Sequence, residues 1–460
     1  MPVTDPKLNP LNELGTRALW PLLIKYSLPA VIGTVVMALY NIIDSVVIGH
    51  AIDDPNVVSG IAVTFPVMNL ATAFGMLIGA GAATRISIVM GQKDTRRAEM
   101  ILGNSVFLTV VIGLCYMSVF AIFLDKILML FGASEHTLPY AREFLLWVLP
   151  GMVLMNLTFS YNNVMRASGY PRKAMYTNLI GAGMNVILAP LFLFGFGWGI
   201  RGAAIATDIS MLVTAFFVMG HFFNHNNVLS FRKGTFRLSW PIVRSVIYIG
   251  MSPFLINVAG SAINAIVNNS LVNYGGDNAI AAVVVFNRFV TIFIFIVIGI
   301  CQGMQPILGY NYGSGRFHRL FGTFWRAAGA GLCITTIGSI VGQLWPRAIA
   351  SMFMQDEAQI ECAIGCLHIT TLTFWMVGFQ VVATNFFQSL GMATKSVFLS
   401  LTRQILFMIP LLYFLPPLWR LNGVWAAYPI SDLVATIVAS VMLAVQIKKI
   451  KQSAPLVAGA

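Results

Sequence analysis

Asp44 lies in the stretch ALYNIIDSVVIGH (Ala38 to His50), where it is the only acid. The largely apolar run around it, from about Leu19 to Ile48, is long enough to cross a bilayer core of about 30 Å, and Asp44 falls within about six residues of its far end. A carboxylate at that depth is costly, so it is expected to face a cavity, where it can exchange a proton or hold a cation. The alternative is an acid satisfied by a neighbouring helix. Met37, Tyr40 and Asp44 share a helix face by i, i+3, i+7 spacing, and Asn41 flanks it. Pro29 removes a backbone hydrogen bond from the same segment, which makes it a candidate hinge; the other reading is a helix that starts after Pro29.

Other chemistries find no residues to carry them. The sequence has no GxxxxGK[ST] loop for ATP and no HExxH motif. His221 and His225 have i, i+4 spacing but no third ligand, so no metal site is assigned there. The five cysteines include no CxxC pair and read as packing residues. No catalytic group, cofactor or enzyme activity is expected, and any work must draw on an ion gradient (H+ or Na+) or on the substrate's own gradient.

The elements that hold Asp44 are membrane spans. Hydrophobic residues make up 58% of the chain, charged residues 10%, and mean hydropathy is +0.81. These values place the chain among polytopic membrane proteins. Apolar stretches near 24–48, 57–82, 101–123, 142–162, 175–196, 201–223, 246–272, 279–304, 323–345, 362–386, 396–416 and 422–446 predict twelve helices. The net charge of +12 is spread over short connectors. Lys93, Arg96 and Arg97, then Arg166, Arg172 and Lys173, then Arg232, Lys233, Arg237 and Arg244, then Arg316 and Arg319, then Lys395, Lys448, Lys449 and Lys451 fall in alternate loops. Those loops are expected on the cytoplasmic side, with both termini, in a bacterial or archaeal cytoplasmic membrane. The expected partners are lipid and small-molecule substrates, not nucleic acid, and a monomer is expected.

The chain also repeats itself at an offset of about 222 residues. GYPRKA (Gly169 to Ala174) corresponds to GMATKS (Gly391 to Ser396), RGAAIATDIS (Arg201 to Ser210) to NGVWAAYPIS (Asn422 to Ser431), Pro29 to Pro253, and IGAG (Ile78 to Gly81) to IGIC (Ile298 to Cys301). An even number of spans per half makes the repeat parallel, with a substrate site between halves. The expected domains are an N-terminal lobe (1–224), a cytoplasmic linker (225–242) whose length lets the lobes rock, and a C-terminal lobe (243–460). Gly75 with Gly79, and Gly299 with Gly303, have the spacing of close helix contacts. Asp208 lies seven residues after Arg201 on one helix face, and an Arg201 to Asp208 ion pair is the favoured reading there.

Taken together, LYNIIDSVVIG, RASGYPRKAM, NVILAP, RGAAIAT and QPILGYNYGSG resemble the multidrug and toxic compound extrusion (MATE) transporters over essentially the whole chain, within the branch that includes DinF-like and MepA-like members. The resemblance implies an all-α membrane protein, two homologous six-helix lobes arranged in a V, exporting organic cations in exchange for protons or sodium. It places ion coupling on Asp44, Asn185 and Thr207, with Na+ at those three as the only metal it suggests. The family's further acid falls on Ala189, so one carboxylate is missing; that loss weakens a sodium cage more than a protonation switch. Asp208 is a possible accessory acid, with Tyr40, Asn41 and Met37. No acid appears at Asn268, the repeat partner of Asp44, so the second lobe is left for substrate contacts or gating. Asn162, Asn264, Asn268, Gln305, Gln388 and Arg403 are the candidate cavity residues. Asp432 has no assigned role beyond a buried hydrogen bond. A flippase of lipid-linked precursors shares this architecture but calls for a strongly cationic cavity, for which only Arg403 and Arg288 are available.

Overall fold

The computed structural model describes residues 10–51, 55–232 and 234–457; within these, the side chains of residues 10, 41, 42, 44–46, 48–51, 55, 56, 58, 62, 261, 262, 265 and 453–457 lie outside the description. The side chains of Asp44 and Asn41, and Lys233 as a whole, therefore lie outside the described residues. Among the described residues every regular element is helical. In a bilayer, backbone groups must be satisfied within the segment, and long apolar runs meet that demand as helices.

The helices are α1 (Pro10–Thr16), α2 (Leu19–Ala51), α3 (Pro55–Gly91), α4 (Thr95–Ile122), α5 (Leu124–Leu130), α6 (Leu138–Ala167), α7 (Pro171–Pro190), α8 (Gly199–Phe223), α9 (Trp240–Gly313), α10 (Phe317–Leu344), α11 (Pro346–Ser351), α12 (Glu357–Thr370), α13 (Phe374–Ser389), α14 (Ala393–Leu401) and α15 (Ile409–Val457). Wide π-helical turns at Leu191–Gly195 and Thr402–Met408 extend α7 and join α14 to α15. Ten described stretches are long and apolar enough to cross a membrane. The pair α12 and α13, bent by 54°, adds an eleventh, and dividing the 60-residue run Ala393–Gln452 at Arg420, where φ is 50°, gives twelve. Within α9 the two spans meet at Gly276, whose φ of 61° costs little without a Cβ. The chain is a multi-pass, all-α membrane protein.

The repeated GYPRKA and GMATKS motifs mark the same device twice. Gly169 (φ 101°) follows α6 and Gly391 (φ 74°) follows α13, and in each case the next amide reaches back five residues: Tyr170 N to Met165 O at 3.0 Å, Met392 N to Phe387 O at 2.9 Å. This is the Schellman closure, for which glycine is favoured.

By contacts the chain divides into two units: residues 1–16 with 32–254, and residues 17–31 with 255–460. These borders differ from those of the sequence repeat. One cuts α2 two residues after Pro29, and the other cuts α9 one residue after Pro253, so each repeat-related proline sits where its helix passes from one unit to the other. α2 runs unbroken through Pro29, so the helix does not start after it.

Within the first unit α3 lies against α6. A Cβ on Gly79 would stand 2.7 Å from Ser160 Cα, and one on Gly75 would collide with Asn156. Within the second, Gly299 and Gly303 admit α2 at Val31 and Ser27. Both pairs are close-packing contacts, as their spacing predicts.

The segment after α8 is pinned to the first unit. Buried Asn104 donates to Arg237 O at 3.0 Å and accepts from Ser239 N at 2.8 Å, Glu99 pairs with Arg232 at 3.1 Å, and Phe231 N donates to Phe222 O at 2.9 Å. A fully engaged amide in α4 thus holds this stretch down, where its length and polarity alone suggest a free tether.

Candidate functional site

α7 carries Asn185 and α8 carries Thr207, and both side chains are buried. The Thr207 hydroxyl donates to Ala203 O one turn back at 3.0 Å, so its oxygen must accept from outside the helix. Asn185 supplies that donor through Nδ2 at 3.0 Å. The amide oxygen of Asn185 takes no part in this bond and remains an acceptor. Ala189, one turn further along α7, is 2% exposed and places a methyl group where the resemblance anticipates a carboxylate. Pro190 and the Leu191–Gly195 turn follow directly, so the helix loses its regular hydrogen bonding just beyond the pair.

Position 44 on α2 belongs to the same unit. Gly33 of α2 meets Asn178 of α7, where a Cβ would stand 2.7 Å from Asn178 Nδ2. Eleven residues on, about three turns and so the same helix face, come position 44 on α2 and Ala189 on α7. Met37 is 38% exposed and Tyr40 half-buried; each makes an interaction within the protein.

Asp208 stands apart from this pair. It faces α6, where Gly151 is required because a Cβ would collide with Asp208 Oδ1. The sequence reading paired Asp208 with Arg201; the structure corrects it. Arg201 instead binds Glu143 of α6, a partner near the helix ends that lets the guanidinium stay 62% exposed. Reaching down to Asp208 would bury that charge away from water. Asp208 Oδ1 is left buried without a hydrogen bond of ordinary geometry.

The candidate cavity residues divide between the two units. Asn162 is buried and donates to Ala174 O at 2.7 Å and to Asn178 Oδ1 at 3.4 Å, joining α6 to α7. Asn264 and Asn268 are exposed, Gln305 is half-buried and Gln388 is 7% exposed, all in the second unit. Arg403, in the Thr402–Met408 turn, donates to Asp432 at 2.6 Å. Asp432 is buried, and Arg403 keeps a third of its side chain exposed. This pair gives Asp432 the role that sequence left open; acids and bases 29 residues apart on adjoining helices leave no local spacing signal. Among the described residues no three His, Cys, Asp or Glu side chains gather as a metal site. His221 Nδ1 is held by Asn227 at 3.1 Å and Lys173 at 3.4 Å.

Known proteins resemble the chain over most of its length. The family described as MatE matches twice, over residues 29–191 and 253–414, each match starting at one of the two repeat-related prolines. The multidrug export protein MepA of Staphylococcus aureus (strain MRSA252) is 26% identical over 425 residues, covering 92% of both chains. MepA of Staphylococcus haemolyticus (strain JCSC1435) is 27% identical over 417 residues, covering 91% of both. Among solved structures, a MATE crystallised in the bent conformation superposes with a TM-score of 0.91 at 22% identity, covering 97% of this chain and 99% of that one. A MOP superfamily transporter from Pyrococcus furiosus, described as having a binding pocket of reversed polarity, gives 0.90 at 23% identity, covering 95% of this chain and 98% of that one. With two matched repeats over most of its length, the chain belongs to the MatE family.

Proposed function

We propose that the chain is a secondary multidrug exporter of a cytoplasmic membrane, with both termini inside, acting as a monomer and exchanging protons for amphipathic organic cations by alternating access. The curated relatives at 26% identity are multidrug export proteins, which supports the cargo class. The observation that supports the coupling is the buried Asn185 to Thr207 bond, in the same unit as position 44. In this reading Asp44 takes up a proton in one state and releases it in the other, and the two protonation states favour different openings. The Asn185 oxygen, an acceptor, offers a neutral partner to the protonated form.

Protons are favoured over sodium because Ala189 supplies no side-chain oxygen. A sodium cage built from Asp44, Asn185 and Thr207 alone holds one formal charge and few hard ligands, whereas a proton needs only the acid. Pro29 and Pro253 lie where α2 and α9 change units, which suits both to absorb bending as the units move. The flippase alternative asks for unpaired cationic groups, and the Arg403 charge is spent on Asp432.

Purified protein in proteoliposomes, given a pH gradient or a sodium gradient separately, tests the proposal. Extrusion of a fluorescent organic cation should follow the pH gradient and stop when it is collapsed. Extrusion driven equally by sodium at constant pH contradicts the proton assignment, and dependence on neither gradient contradicts secondary transport.

A further inference from the structure

Asp208 is the one acid described within these spans whose expected partner is taken by another residue. Arg201, seven residues earlier, is committed to Glu143. Asp208 Oδ1 is buried against the backbone of α6 at Gly151, with no hydrogen bond of ordinary geometry. An ionised oxygen left so at bilayer depth is costly unless a cation or a proton meets it.

The space beside it has a definite chemistry. Asp208 lines a crevice of about 600 Å³ on the surface of the first unit, between α6 and α8, with Leu146, Trp147, Pro150, Ile205 and Ile209. Trp147 is 45% exposed, as is Leu146. Asp208 lies nine residues into α8 and Trp147 nine residues into α6, so both sit about 13 Å from the starts of their helices. A lipid headgroup ammonium rides nearer the water and is a poor match for that depth. One carboxylate, one indole face and aliphatic walls suit a monovalent organic cation whose charge is wrapped in apolar groups.

We propose that this crevice is a lateral binding site for lipophilic organic cations partitioned into the bilayer, with Asp208 as counter-ion and Trp147 as the aromatic wall. It is separate from the Asn185 and Thr207 region, since consecutive residues of a helix point about 100° apart. Its occupant belongs to the cargo class proposed above, yet occupancy here does not rest on transport.

The test uses the full chain in lipid nanodiscs without any gradient, labelled with a photoreactive triphenylphosphonium and mapped by mass spectrometry. Label should fall on the lining segments of α6 and α8. Excess tetraphenylphosphonium should displace it, and neutral tetraphenylmethane should not. Asp208→Asn should lower labelling by about tenfold or more, a ratio within reach of one lost ion contact, and Asp208→Glu should restore most of it. Asp44→Asn, which removes the proposed coupling acid, should leave labelling unchanged, so failed transport and failed lateral binding are read apart. Absence of label at the crevice, equal labelling of Asp208→Asn, or displacement by the neutral compound overturns the proposal; equal labelling identifies Asp208 as a protonated structural acid.

Discussion

Asn185 donates to the Thr207 hydroxyl at 3.0 Å, joining α7 to α8 at a point one turn before Pro190 ends the helix. Both groups are buried, and the hydroxyl is already committed as a donor to Ala203 O, so only a donor can fill the position Asn185 occupies. Asn185→Leu leaves that hydroxyl oxygen short of a partner and should destabilise the protein by about 1–3 kcal/mol. Asn185→Asp, an acceptor when ionised, should do the same at neutral pH. Thermal unfolding in detergent at fixed protein concentration reads both effects. Gradient-driven efflux should fall more steeply than stability alone accounts for.

Ala189 is the position where this chain departs from the pattern its sequence resembles. Ala189→Asp adds hard oxygen ligands to the neighbourhood of Asn185 and Thr207. The substituted protein is expected to acquire sodium-dependent efflux or sodium-dependent thermal protection of at least a few degrees, whereas the parent shows neither. Sodium protection of the parent itself, measured as a rise in unfolding temperature, would refute the proton assignment.

The Arg403 to Asp432 pair should respond asymmetrically. Arg403→Met strands a buried carboxylate, at a cost of about 3 kcal/mol or more. Asp432→Asn leaves a guanidinium that is already a third exposed and can turn toward water, so its cost should be smaller. The double change should recover much of the first loss. Unfolding midpoints for the two single variants and the double variant complete the cycle, and additive losses contradict the pairing.

Gly303 leaves no room for a side chain. A Cβ there would stand 2.5 Å from Ser27 Cα and from Ser27 N, both backbone atoms that cannot swing aside. Gly303→Ala should therefore cost about 1–3 kcal/mol by overpacking, while Gly329→Ala, where nothing lies within 4 Å, should be close to neutral. Comparable losses at both sites contradict the close approach of α2 to α9.

Much of this was legible in sequence because bilayer physics writes it there. Span length, the basic connectors and the repeated GYPRKA and GMATKS motifs follow from hydrocarbon thickness and from a glycine-dependent helix closure. The Gly75 and Gly79 contact likewise announces itself by spacing. What sequence could not resolve was choice of partner. Arg201 can reach either Asp208 along its own helix or Glu143 on the next, and only the tertiary arrangement puts the exposed acid within reach. The same holds for Arg403 and Asp432. The polar segment after α8 reads as a tether until the buried amide of Asn104 is seen holding it. The unit borders in α2 and α9 fall inside continuous helices, where composition shows no change.

Coupling of proton movement to export by the acid at position 44 is the core of the proposed function. It is tested most directly by comparing the parent and Asp44→Asn in proteoliposomes under an imposed pH gradient, with equal amounts of inserted, folded protein. Asp44→Asn should still bind tetraphenylphosphonium but extrude a fluorescent organic cation no faster than empty vesicles. Gradient-driven extrusion by Asp44→Asn at the parent's rate, with the parent's pH dependence, contradicts it.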